Sequence, residues 1–300
     1  MGTLRLFIRL SRPLFLVGVA IVYALGVGIA HYLGVTIDWR LYVLGQAWVS
    51  ILQLSTQYLN EYYNAPADNE NPNRTFLTGG SGAIGTDKLP RRVALMSAMG
   101  CLAILASLTV LLIASDIAPS ALFIMGIAFL AAFFYSTPPV KLEASGYGEL
   151  TTSILVAFLV PAYAYILQAN EFSPIISMVA FPLTALHLAM LLAFELPDYS
   201  TDIKFLKRTI MVRMGWEKGM ILHNILVLSA FLLLGLAARF GLPMFVFLPS
   251  ILLLPLGLLQ IWQMRRIADG GKPNWNALTL GALALFGAMA YLMTFTFWIN

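Results

Sequence analysis

The sequence predicts an all-α protein embedded in a lipid bilayer, with about nine membrane-spanning helices. Of its 300 residues 60% are hydrophobic and 11% charged, and the mean hydropathy is +0.83, whereas a soluble domain carries roughly 25% charge. The apolar residues fall in runs of about 20, the helix length that crosses a hydrocarbon core. Such runs fill the chain and leave no room for a soluble domain, so residues 1–300 read as a single transmembrane domain. Cys101 is the one cysteine and sits in an apolar run, which excludes an intrachain disulfide.

Each span is bounded by charge, proline or glycine. The first, 13–34, follows Arg5, Arg9 and Arg12; its length and the lack of a small-residue cleavage site mark a retained span and not a signal peptide. The second, 41–63, follows Arg40 and ends in the polar run Asn60-Glu61-Tyr62-Tyr63-Asn64. The third, 93–115, lies between Arg92 and Asp116, and the fourth, 117–136, stops at Thr137-Pro138-Pro139. The fifth, 148–168, starts after Gly146-Tyr147, and the sixth, 174–195, opens at Pro174 and closes at Glu195. The seventh, 218–238, is set between Lys218 and Arg239, the eighth, 243–262, between Pro243 and Arg265, and the ninth, 276–298, follows Lys272-Pro273.

The 18 basic residues orient the bundle: all but Arg40 and Arg239 fall before the first span or in the loops after the second, fourth, sixth and eighth. By the positive-inside rule that face and the amino terminus are cytoplasmic, as expected of a multi-pass protein of a bacterial plasma membrane. Of the 14 acids only Asp38, Asp116 and Glu171 lie on the other side. The net charge of +4 is thus the remainder of a polarised molecule and not a sign of nucleic-acid binding.

Two cytoplasmic loops carry most of the chemistry. Glu61, Asn64, Asp68, Arg74 and Thr75 match Glu195, Asp198, Asp202, Arg208 and Thr209 in kind, 134 positions later. The shared pattern E-x2-[ND]-x3-D-x5-R-T follows the second and the sixth span, so both copies emerge on one face. We read it as a parallel duplication: two four-helix halves plus a ninth helix, with the site between the halves. Spacings of three and four place Asn60, Asn64 and Asp68 on one helix face, and Glu195, Asp198 and Asp202 on another. Converging carboxylates repel unless a cation lies between them. Oxygen donors without His or Cys partners indicate a hard ion, Mg2+ before Zn2+, which typically binds through a few carboxylates and a substrate phosphate. Arg74, Lys141, Lys207 and Arg208 stand close by in sequence and suit the remaining diphosphate oxygens. Lys204, Lys218, Arg265, Arg266 and Lys272 read as solvated loop charges. Pro66 and Pro197 are expected to break the helices locally.

The second span also carries Gln46, Ser50, Gln53, Gln57 and Asn60, each three or four residues from the last. Such a stripe faces the bundle interior, where interhelical hydrogen bonding and a substrate cavity explain it equally well. His187 either touches a substrate or bonds a neighbouring helix.

At these residues the sequence resembles the UbiA superfamily of membrane prenyltransferases over most of its length. That family has nine transmembrane helices and two aspartate-rich motifs, NDxxDxxxD and DxxxD, here Asn60-Glu61-x-x-Asn64-x-x-x-Asp68 and Asp198-x-x-x-Asp202. Lys207-Arg208-Thr209, Val212-Arg213-Met214-Gly215 and Tyr135-Ser136-Thr137-Pro138-Pro139-Val140-Lys141 with Gly146-Tyr147-Gly148-Glu149 are also family-like. Thr78-Gly79-Gly80-Ser81-Gly82 is most similar to the 1,4-dihydroxy-2-naphthoate prenyltransferases of menaquinone synthesis. Two departures stand out: Asn64 replaces an Asp and Glu61 usually is one. Either Glu61 or Glu70 makes up the charge, or metal affinity is lower, or the reaction has changed.

The resemblance implies an enzyme that transfers a polyprenyl group from its diphosphate to an aromatic acceptor such as a hydroxynaphthoate. Asn60, Asn64, Asp68, Asp198 and Asp202 would hold Mg2+, with Asp68, Asp198 and Asp202 essential to catalysis; Arg74, Lys141, Lys207 and Arg208 would bind diphosphate. Gln53, Gln57, Glu61, Tyr135, His187 and Glu195 are candidates for the substrate pocket, from which the prenyl tail can leave into membrane lipid. The rival acceptors are 4-hydroxybenzoate, homogentisate, a tetrapyrrole and a glycerol phosphate ether lipid. A cation-coupled transporter is the rival of another class, though it requires charge near the midplane and access from both sides; a catalytically silent scaffold is a third.

Overall fold

The computed structural model describes residues 2–300, which form a bundle of long helices. In chain order these are α1 (Thr3–Leu10), α2 (Pro13–Tyr32), α3 (Trp39–Glu70), α4 (Arg91–Ile113), α5 (Pro119–Ser136), α6 (Gly148–Ile154), α7 (Val160–Ala169), α8 (Pro174–Lys204), α9 (Ile210–Met214), α10 (Trp216–Arg239), α11 (Met244–Ile251), α12 (Leu254–Ala268) and α13 (Trp275–Ile299). Among the described residues the sole β-type pairing is an isolated bridge between Ile84 and Leu89. Among the described residues eight stretches are long and apolar enough to cross a membrane. The longest helix, α3, is not one of them, because its polar row dilutes its apolar surface; it packs within the bundle against α2, α4, α5 and α7. The protein is an all-helical, multi-pass membrane protein.

Three expectations about the elements need correction. Neither Pro66 nor Pro197 breaks its helix: α3 and α8 run through them to Glu70 and Lys204, a full turn or more beyond the expected ends at 63 and 195. Pro66 has no N–H for the carbonyl of Tyr62, and the Arg91 Nε donates to that carbonyl instead. The fifth span is interrupted by a π-helical turn, Leu155–Leu159, just before Pro161, which has no N–H for the Ala157 carbonyl. The eighth span is divided into α11 and α12. In addition, α1 precedes the first span and buries Leu6 and Leu10 in a small apolar cluster with Tyr58 and Leu59 of α3.

The next long helix after each motif packs along the helix that bears it: α4 along α3, and α10 along α8. The helix α13 lies against both α2 and α8, and α2 against α7. At the α2–α7 crossing a Cβ on Gly26 would strike the Pro161 carbonyl oxygen and come within 2.9 Å of the Ala164 Cβ. Lipid removes the hydrophobic drive between helices, and small residues restore contact by letting backbones approach.

Candidate active site

The extended ends of α3 and α8 hold the two motifs above one cavity of about 300 Å³. Its polar end is lined by Asn60, Asn64 and Asp68 from α3, Asp198 and Asp202 from α8, and Lys207 from the loop after it. Deeper in the bundle the wall turns apolar: Phe15 and Val19 of α2, Trp48 and Leu52 of α3, and Leu155 and Leu159 of the π-helical turn. Gln53, Gln57, Tyr135 and Glu195 line the zone between. The lower part of the polar stripe therefore faces the cavity, while Gln46 donates along its own helix to Ser50 at 2.9 Å. Both amide atoms of Gln57 are buried without a protein partner, free for a ligand.

The glycine-rich loop ties the halves together. Asp198 accepts from the Gly79 N–H at 3.1 Å and from the Asn71 Nδ2 at 2.6 Å, so two donors beyond the first motif grip the second. Gly80 lies against Asp68 at a φ of +76°, and a Cβ there would stand 2.6 Å from the Asp68 carboxyl carbon. A side chain would be strained by the backbone as well as by that contact. Gly80→Ala is therefore expected to keep the fold but cut turnover about tenfold to a hundredfold by displacing Asp68; wild-type turnover in a folded variant would show that the loop tolerates the shift.

Several expected site residues lie elsewhere. Lys141 is exposed, with its ammonium 5.8 Å from the ring centre of Tyr63, and does not line the cavity. Arg208 is exposed too: Leu206 takes a left-handed conformation, φ 56°, and this turn puts Lys207 on the cavity and its neighbour outside it. Arg74 sits beneath Gly82, whose Cβ position is 2.8 Å from the Arg74 Nη1, and is not among the lining residues. Burial lowers its pKa, with Asp68 and Glu61 opposing. His187 is off the cavity, 3.0 Å from the Ser153 Oγ and edge-on to Phe286, so it serves helix packing.

Glu61 does not face the substrate space either. It accepts from the Arg12 Nη2 at 2.7 Å, the Ser81 N–H at 2.6 Å and the Ser81 Oγ at 2.7 Å, and so pins the glycine-rich loop to the start of α2. Glu70 pairs with Lys204 on the surface. Neither makes up the charge that Asn64 lacks. Glu61 is 3% exposed and Arg12 20%, so Glu61→Gln, which strands the arginine, is expected to cost about 2 kcal/mol, a value reduced for the partial exposure of Arg12. Thermal melting in detergent measures it; an unchanged melting temperature would show that the pair contributes nothing.

Four residues to which the sequence reading gave no role in the site belong to it. Arg12 lines the cavity although it read as a topology charge. Asn71 holds Asp198. Glu149 lines the cavity and accepts from the Ile210 N–H at 2.9 Å, with its other oxygen buried and unpartnered. Glu143, in the 3-10 turn Leu142–Ala144, lines the cavity and accepts from the amides of both Asn60 and Asn64. Burial pushes the Glu143 carboxyl above its usual range, while Lys207 and these amides oppose the shift. For Lys207 burial works against the charge, yet the fields of Glu143, Asp202, Asp68 and Asp198 prevail and hold its pKa above the ordinary value.

The donors fit a hydrated hard cation. Among the described residues no three carboxylates or imidazoles gather tightly enough to cage a bare ion. The set is instead a mixture of carboxylate and amide oxygens spread around the cavity, with one oxygen of Asp68 buried and unpartnered. Mg2+ keeps several waters and completes its shell with substrate phosphate, so it suits such a set.

A cavity that is charged at one end and apolar at the other, inside a membrane bundle, has the character of a site for an amphiphile. The chain belongs to the UbiA prenyltransferase family, whose pattern matches residues 19–277, and is an enzyme of the prenyltransferase class. Its fold is similar to a UbiA homolog from Archaeoglobus fulgidus bound to GPP and Mg2+, at 17% identity and a TM-score of 0.70, over 98% of this chain and 100% of that one. A UbiA homolog from Aeropyrum pernix K1 in its apo form matches at 16% identity and a TM-score of 0.64, over 93% and 96%. A digeranylgeranylglyceryl phosphate synthase matches at 15% identity and a TM-score of 0.66, over 100% and 98%. No curated protein sequence matches the chain.

Proposed function

We propose that the protein transfers a polyprenyl group from its diphosphate to an aromatic carbon, with Mg2+ as cofactor and 1,4-dihydroxy-2-naphthoate of menaquinone synthesis as the acceptor. The observation that carries this reading is the single cavity on which both motifs converge, acidic with Lys207 at one end and apolar at the other. Asn60, Asn64, Asp68, Asp198 and Asp202 would hold the cation, which would supply positive charge to neutralise diphosphate as a leaving group. Lys207 and Arg12, the basic residues that line the cavity, take the remaining diphosphate oxygens. Lys141 and Arg208 are dropped from this role. The allylic C–O bond then breaks with its electron pair leaving on diphosphate, and the ring carbon of the acceptor supplies the pair for the new C–C bond. Water attack on the allylic cation is limited by the apolar wall, and the rings of Tyr135, Phe15 and Phe194, all on the cavity, offer π faces to it. Loss of the acceptor's carboxylate as CO2 restores aromaticity. The clustering of basic residues supports a cytoplasmic amino terminus and cavity mouth, in keeping with a bacterial plasma membrane as the setting.

Incubating the membranes with labelled prenyl diphosphate, Mg2+ and a panel of aromatic acids, then identifying the lipid product by mass, tests the reading. A prenylated naphthoquinol is expected. A product built on 4-hydroxybenzoate or homogentisate would replace the acceptor, and no diphosphate release with any acceptor would overturn the reaction.

A further inference from the structure

The two copies of the motif are unequal in charge: Asn64 stands where the second copy has Asp198. The structure brings a third element to that spot. Glu143 belongs to neither motif, lies between α5 and α6, and is 9% exposed. One of its oxygens, Oε2, accepts from the Asn60 Nδ2 at 2.5 Å and the Asn64 Nδ2 at 2.6 Å. An amide has a donor end and an acceptor end, so engaging both Nδ2 groups fixes which way the side chains face and leaves their carbonyl oxygens to ligate. The carboxylate itself is on the cavity wall beside Lys207 and the two aspartates of α8.

We propose that Glu143 supplies the negative charge that Asn64 lacks, and that it is a positioning residue which holds the Asn60 and Asn64 carbonyl oxygens toward a divalent cation. The cation site is then assembled from three elements, α3, α8 and the turn after α5. This rests on the Mg2+ diphosphate reading above. Each change alone breaks the arrangement differently. Glu143→Gln removes the charge and offers an amide that can present its own N–H groups to the two asparagines. Asn64→Asp sets a second carboxylate against Glu143 at hydrogen-bonding distance, where the like charges repel. Together the two changes move the charge back to α3 and leave an amide to face it.

The test is Mn2+ binding to the full-length protein in detergent, read by electron paramagnetic resonance in the presence of inorganic pyrophosphate. Glu143→Gln is expected to weaken Mn2+ about tenfold to a hundredfold, and Asn64→Asp/Glu143→Gln to recover to within about threefold of wild type. Glu143→Asp keeps the charge on a shorter stem and is expected to bind more tightly than Glu143→Gln, a comparison that holds if the glutamine variant folds poorly. Wild-type affinity in Glu143→Gln, or a double variant no better than the single, overturns the proposal. Asp198→Asn separates the two readings. If it binds Mn2+ as wild type does, or wild type binds none, the metal reading itself fails and this one with it; if only the Glu143 variants are silent, the metal reading stands.

Discussion

Changing Asp198 and Asp202 together to Asn lowers kcat/KM for prenyl diphosphate by at least about a thousandfold while the protein stays folded. Asn preserves size and hydrogen-bonding capacity, so the change isolates charge. Asp198 is held on one oxygen by the Asn71 amide and on the other by the Gly79 N–H, and an asparagine oxygen can keep one of these. Asp202 lies 3.9 Å from the Lys207 Nζ; without its charge the ammonium keeps Glu143 and Asp68 as partners but loses its closest one. A cation that neutralises diphosphate needs anionic ligands on both sides, and the double variant removes all that α8 offers at that level. Diphosphate release measured in lipid decides the matter: if the double variant matches wild type, the metal assignment to α8 is wrong. The single change Asp202→Asn is expected to cost less, about tenfold to a hundredfold.

Lys207→Met raises KM for the prenyl diphosphate and lowers kcat/KM by about a hundredfold to a thousandfold, whereas Lys207→Arg keeps a substantial part of the activity. The methionine side chain nearly matches the length of lysine and carries no charge. Lys207 stays protonated despite burial because four acids surround it, so it is a fixed positive charge at the mouth of the pocket. Its loss has a second consequence. The acids are left unbalanced, and the variant is expected to melt at a lower temperature than wild type and to regain more of its stability on addition of Mg2+. Unchanged KM and unchanged melting would remove Lys207 from the diphosphate site.

Much of this site was readable in the chain. Asp68, Asp198 and Asp202 were marked by repetition and helical spacing, and Gln53, Gln57 and Asn60 by the stripe they form on α3. Those signals are periodic, and periodicity is how one face of a helix shows itself in sequence. Glu143 and Glu149 had no such mark: Glu143 is a lone acid in the turn between α5 and α6, and Glu149 a lone acid in the first turn of α6, with no periodic partner to single either out. One clue was available: Asn64 left a charge unaccounted for, and the compensating acid did not have to be near it in sequence. The same limit misplaced Arg208 and Lys141. Lys207 and Arg208 are adjacent and chemically alike, and what separates them is the left-handed turn at Leu206. Arg12 was misread in the opposite sense, because a base at the start of a membrane span has an adequate topological reason to be there.

The sequence by itself determined the membrane setting, the helical class, the polarity of the two faces and the pair of helices that carry the acids. These depend on composition and on repeats along one chain, which local physics converts directly into helix faces and boundaries. Only the tertiary structure decided which charges share the cavity. Glu61 turned out to bind Arg12 and Ser81, Glu70 to bind Lys204, and Glu143 to meet Asn60 and Asn64. The energy of a charge depends on its neighbours in space and on how much water they exclude. Neither quantity is written in the order of the residues.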